Sequence, residues 1–186
     1  MPEREALQAR AASGDVAAFD VLMRETKAGL YRFVRRYIGD AEEAYDLVQE
    51  AYAASWLAIR RYDPNRSFEA WLRTIAINKC RDWSRRRRVR RLLLGGPDIN
   101  SWEALVIADG EASVEDRHDA VARSRRLQAA IAALPPKLKE PLLLTAIEER
   151  SQAEAAEILG LSVKAVEMRV ARARQKLAAH LQALPE

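Results

Sequence analysis

Ser151 to Leu184 reads SQAEAAEILGLSVKAVEMRVARARQKLAAHLQAL, and its spacing predicts two helices joined by a tight turn. Ser151 is placed to cap the first, and Glu154, three residues on, can reach back to the Ser151 backbone N–H as a capping box. Ala155, Ala156 and Leu159 give that short helix a small-residue face that a second helix can approach closely. Gly160 supplies the backbone freedom a helix end needs, Leu161 fills the corner, and Ser162 caps the second helix. On that helix Val166, Val170, Ala173 and Leu177 recur at spacings of three and four, so one stripe is buried. The opposite face carries Lys164, Glu167, Met168, Arg172 and Arg174. A helix-turn-helix needs this division, one face packing and the other offering long side chains to phosphates and base edges in a major groove. A surface hairpin with solvated arginines shares the periodicity. The two caps, the glycine and the one-sided stripe together favour DNA contact.

Working outward, charge is unevenly spread. Residues 1–91 hold 19 Lys/Arg against 13 Asp/Glu, residues 92–119 hold 1 against 7, and residues 120–186 hold 11 against 7. Two basic blocks flanking an acidic one suggest a polyanionic partner. One cysteine, Cys80, excludes an internal disulfide and fits a reducing cytosol. The N-terminus has no apolar core for a signal peptide, and no run approaches membrane-spanning length. The expectation is a cytoplasmic protein with no membrane insertion.

Residues 1–14 read as a frayed lead-in. From Asp15 to Tyr37 apolar residues fall at helical spacing, with a possible bend at residues 27–29. Gly39 ends this helix, and Asp40 with Glu43 is spaced as a second capping box before a helix from Ala41 to Arg61. Tyr62-Asp63-Pro64-Asn65-Arg66 is a turn, since proline preorganises it and Asp and Asn bond locally. Ser67 caps FEAWLRTIAINKCRDWSRRRRVRR, apolar first and then ending in six arginines within seven residues. LLLGGPDIN stops it, and the acidic connector to about Asp119 offers little to bury. Then Ala120, Val121, Leu127, Ala130, Ile131 and Leu134 predict a buried helical face, and a short helix from Leu138 to Glu148 carries Pro141 in its first turn. The fold class is all-α, with two small helical domains at 15–91 and 120–186 joined by an acidic linker at 92–119.

Three stretches carry a resemblance. AEEAYDLVQEAYAASW, FEAWLRTIAINKCRDWSRRRR and ALPPKLKEPLLLTAIEERSQAEAAEILGLSVKAVEMRVARARQKL, in that order, resemble the extracytoplasmic-function sigma factors of bacterial RNA polymerase. The likeness spans about Asp15 to Leu181. It implies that residues 15–91 match the family's second region and 120–186 its fourth. The resemblance further implies that Asp46, Leu47, Gln49 and Glu50 dock on a coiled coil of core RNA polymerase. Tyr62, Asp63, Asn65, Arg66 and Phe68 would then form a minus-ten pocket loop, with Asn78 reading a base edge and Lys79, Arg81, Arg85 and Arg86 holding phosphates. Trp71 is expected in the core.

In the C-terminal unit the same likeness assigns Lys164, Glu167, Met168, Ala171 and Arg172 to the minus-thirty-five groove, and Arg169 and Arg174 to phosphates. Glu167 and Ala171 depart from many relatives. Since glutamate can accept from cytosine N4, altered base preference is expected there. The long acidic connector also departs, and its carboxylates either mimic nucleic acid in the polymerase's RNA path or form a solvated tether. The implied function is a promoter-specificity subunit with core polymerase, promoter DNA and an anti-sigma factor as partners. No cofactor, metal or small-molecule substrate is expected. His118, His180 and Cys80 lie far apart, no Gly-rich loop cradles a phosphate, and the acid pairs Glu42/Glu43 and Glu148/Glu149 suit caps and solubility. The rivals are a stand-alone dimeric helix-turn-helix regulator, an RNA-binding or adaptor protein using the arginine run, and, more distantly, a nucleic-acid enzyme.

Overall fold

The computed structural model describes residues 2–94 and 115–182, and every regular element among them is helical. The N-terminal half comprises α1 (Pro2–Ala12), α2 (Val16–Ile38), α3 (Ala41–Ala58) prolonged by a 3-10 turn (Ile59–Arg61), and α4 (Phe68–Leu94). The C-terminal half comprises α5 (Glu115–Ala133), α6 (Pro136–Leu142) running into a π turn (Leu143–Ile147), α7 (Gln152–Leu159) and α8 (Val163–Gln182).

Local chemistry sets these boundaries. The Asp15 carboxylate accepts from the Ala18 N–H at 3.1 Å and opens α2. Gly39, at φ 88°, closes it by donating to the Arg35 carbonyl. Between them α2 runs unbroken through residues 27–29, where a bend was possible. Its stripe of Leu22, Leu30, Phe33, Val34 and Tyr37 meets Ala44, Leu47, Val48 and Ala51 of α3 and Leu72, Ala76, Ile77 and Cys80 of α4. Each fully buried large apolar side chain contributes about 1.5–3 kcal/mol. Burial also pushes the Cys80 thiol well above its ordinary range, so it stays protonated.

Several expectations need correction. Residues 2–12 are a helix rather than a frayed lead-in, with Ala11 and Gln8 buried. The capping box at Asp40 is half formed: Asp40 accepts from the Glu43 N–H, but the Glu43 carboxylate turns away and accepts from the Trp83 indole at 2.7 Å. The connector expected at 92–119 is helical at both ends, because α4 continues to Leu94 and α5 starts at Glu115; residues 95–114 lie outside the described residues. Leu127 is exposed rather than on a buried face. Pro141 falls inside α6, which begins earlier than expected, at Pro136.

The two halves pack against each other through polar groups that are themselves largely buried. Arg73, 2% exposed, grips Glu148 with two N–H groups, one of them Nε at 2.6 Å, and lies over the Phe33 ring. Arg150 ties the same cluster to Glu69 at 2.8 Å. Glu148 therefore serves this contact, not a cap or solubility. Lys139 of α6 donates to the Tyr37 carbonyl of α2 at 3.0 Å and to the Ala132 carbonyl, and its burial pulls the ammonium down to about 8. Gly39 has a second use here, since a Cβ on it would lie 3.2 Å from the Ala132 methyl group.

Candidate nucleic-acid interface

The helix-turn-helix forms as its residues dictate. The Ser151 hydroxyl accepts from the Glu154 N–H and the Glu154 carboxylate accepts from the Ser151 N–H, completing the capping box. Gly160 adopts φ 65°, and the Leu161 N–H reaches back to the Ala156 carbonyl at 2.9 Å, a chain reversal an L side chain rarely tolerates. Ser162 then caps α8 through the Ala165 N–H at 3.2 Å. Val166, Val170 and Ala173 are buried, while Lys164, Glu167, Met168, Ala171, Arg172 and Arg174 are exposed and Arg169 is half-buried. Lys164 and Glu167 pair at 3.3 Å on the open face, an exchange with solvent worth under about 1 kcal/mol and easily broken.

The loop before α4 is built from inside. Asp63 accepts from the backbone and side-chain amides of Asn65 at 3.0 and 2.9 Å, and the Arg66 N–H donates to the Asp63 carbonyl at 3.0 Å. Asp63, Asn65 and Arg66 thus stand outward on a tight turn. Tyr62 and Phe68 do not. They are 4% and 1% exposed and cross edge to face at 5.6 Å, in a cluster with Trp71, Phe19 and Trp56. An aromatic edge-to-face stack of this kind secures the loop's two ends. Their assignment as contacting residues is corrected to a supporting one. Burial pushes the Tyr62 hydroxyl up to about 12, so it remains a donor.

On α4 the polar residues divide. Asn78 is exposed and accepts from Arg81 at 3.2 Å. Arg81 also makes two bonds to Glu140 of α6, at 2.8 and 2.6 Å, while the Tyr37 hydroxyl donates to the same carboxylate. That partner raises the Arg81 guanidinium pKa still further. Arg66 is paired likewise with Glu157 of α7, through Nε at 3.1 Å. Lys79 faces α3 instead and meets Glu50 at 3.3 Å. Arg85 pairs with Asp82, and Arg86 is exposed.

On α3, Asp46, Gln49 and Glu50 are exposed, but Leu47 is 2% exposed and belongs to the core. It follows the buried stripe of its helix and stiffens that face from within. Beside these residues a shallow groove of about 430 Å³ runs between α2 and α3, lined by Arg24, Lys27, Ala28, Tyr31, Tyr45 and Val48. Tyr45 is half exposed, and an aromatic ring off the buried stripe of α3 was the one sequence signal for this groove. Among the described residues no helix is long and apolar enough to cross a membrane.

Comparison with known proteins bears on the whole chain. Residues 22–90 match the family description "Sigma-70 region 2" and residues 124–177 match "Sigma-70, region 4". The chain is 40% identical over 178 residues to RNA polymerase sigma factor CnrH of Cupriavidus metallidurans, covering 95% of this chain and 93% of that one. It is 32% identical to ECF RNA polymerase sigma factor SigW of Bacillus subtilis, with 92% of each covered. In structure it is similar to CnrH in complex with the cytosolic domain of CnrY, at a TM-score of 0.71 and 36% identity over 98% of this chain and 99% of that one. It also shares the fold of the sigma factor RpoE from Bartonella quintana, solved with the anti-sigma factor NepR, at a TM-score of 0.70 and 23% identity over 91% of this chain and 100% of that one.

Proposed function

The chain belongs to the extracytoplasmic-function sigma factors of bacterial RNA polymerase, and we propose that it works in the cytoplasm as a promoter-specificity subunit without catalytic chemistry of its own. Core polymerase docks on the exposed flank of α3, through Asp46, Gln49 and Glu50, with the adjoining apolar groove at Tyr45. The loop residues Asp63, Asn65 and Arg66 and the α4 residues Asn78, Arg81, Arg85 and Arg86 meet the minus-ten element. Neutralising a separated strand and holding an extruded base offsets the cost of unstacking it. The exposed face of α8 enters the major groove at the minus-thirty-five element.

The observation that carries this reading is the pairing of the two units. Arg66 and Arg81, which we assign to promoter DNA, are paired with Glu157 and Glu140 of the other half. A free chain in this arrangement binds DNA weakly, and a polymerase that spreads the two halves apart releases both arginines. A stand-alone regulator would need only the open face of α8, and the paired arginines of the other half would have no use. An anti-sigma factor, of the kind found with RpoE, is a further partner we propose. By holding the halves together it would keep the same arginines paired with their carboxylates.

Arg172→Ala tests the reading of α8. In a polymerase holoenzyme, binding to a promoter with the favoured minus-thirty-five sequence is expected to weaken by about 1–3 kcal/mol. Affinity for promoters altered at the contacted base should hardly change. Competition binding across single-base promoter variants measures both, and an equal loss on every sequence makes Arg172 a phosphate contact instead.

A further inference from the structure

Gln8 is buried on α1, a helix whose other inward side chains are small or apolar. Its amide nitrogen donates to the Arg4 carbonyl at 3.3 Å. Its single side-chain oxygen accepts two bonds from far along the chain, from the Tyr62 hydroxyl and from the Phe68 backbone N–H at 3.1 Å. Tyr62 and Phe68 are the residues on either side of the outward turn at 63–67. One carbonyl oxygen therefore clamps both ends of that turn. The Tyr62 hydroxyl also lies against the Arg66 carbonyl, and its one proton is shared between that oxygen and Gln8. The Phe68 N–H belongs to the first turn of α4, where backbone donors have no partner within the helix, and Gln8 satisfies it. The helix carrying Gln8 is itself pinned, because Arg10 makes two bonds to the Asp15 carboxylate, at 2.8 and 2.6 Å, and Asp15 caps α2.

We propose that Gln8 is a positioning residue for minus-ten recognition, holding Asp63, Asn65 and Arg66 at a fixed height above the core through Tyr62 and Phe68. The proposal rests on the promoter reading of that loop. The side-chain bonds of Gln8 run to Arg4, Tyr62 and Phe68, two of them at the ends of this loop, so its effect is confined to one promoter element. A side chain that merely filled space would change stability and leave base preference alone. A clamp changes preference, because a loop freed at both ends meets right and wrong bases with more nearly equal affinity.

The experiment uses holoenzyme reconstituted from core polymerase and the full chain, on promoters varied one base at a time in the minus-ten and minus-thirty-five elements. Gln8→Met keeps the volume and removes the acceptor; Gln8→Glu keeps an acceptor oxygen. With Gln8→Met, discrimination within the minus-ten element is expected to fall roughly threefold to tenfold, the worth of one buried hydrogen bond. Discrimination at minus-thirty-five and affinity for core should stay as in the parent, and Gln8→Glu should recover most of the loss. Tyr62→Phe removes the same bond from the other side with the ring retained, and it carries the test if Gln8→Met loses helicity. An unchanged preference profile, an equal loss on all minus-ten sequences, or no recovery with Gln8→Glu overturns the proposal. Failure of the parent chain to start transcription on any promoter overturns the promoter reading itself, and the Gln8 proposal with it.

Discussion

Replacing Glu140 and Glu148 together by glutamine is expected to open the molecule without unfolding its halves. Glu148 is 12% exposed and its partner Arg73 2%, so the change leaves a guanidinium in the interior with only the longer contact to Glu69, at 3.7 Å, to balance it. Removing one partner of such a buried pair typically costs about 3–5 kcal/mol. The Arg81–Glu140 pair adds less, since Arg81 is more open to solvent. The chain can escape this cost by separating the halves, which returns Arg73 and Arg81 to water. Small-angle scattering should therefore show a larger radius of gyration for the double variant while circular dichroism reports the same helix content. Binding of the free chain to promoter DNA should strengthen, because Arg81 is no longer held by its own carboxylate. An unchanged radius with a lower melting temperature would mean that the contact stabilises the fold and does not govern access to DNA.

Asp46→Ala with Gln49→Ala is the second change of large effect. Both side chains are exposed on α3 and neither supports the core. A charged hydrogen bond lost at an interface is worth about 1.5–3 kcal/mol, so affinity for core polymerase should fall roughly tenfold or more. Thermal stability should hardly move, and DNA contacts made through α8 should be spared. Leu47→Ala is the informative control, since its cost of about 2–5 kcal/mol falls on folding. Unchanged core affinity in the double variant would remove the docking assignment.

The helix-turn-helix was legible because everything that specifies it is local. The Ser151–Glu154 box, the Gly160 turn, the Ser162 cap and the Val166, Val170 and Ala173 stripe lie within a few residues of their partners, and all formed as expected. α1 was missed because it packs through an alanine and a glutamine, which leave almost no apolar periodicity. The resemblance gave Tyr62 and Phe68 contacting roles and Leu47 a docking one, although side chains of that size and apolarity are drawn inward wherever a core is near. Glu140 and Glu148 could not have been found from spacing. Their arginines lie 59 and 75 residues away in the chain, and only the packed halves bring them together. The same limit hid the Gln8 clamp, whose bonds span 54 and 60 residues.

Run-off transcription with purified bacterial core polymerase on a library of promoter fragments reaches the central claim most directly. Core enzyme with this chain is expected to produce discrete transcripts from a subset of fragments that share two spaced sequence elements, while neither component does so alone. Transcripts no different from those of core polymerase by itself would contradict it.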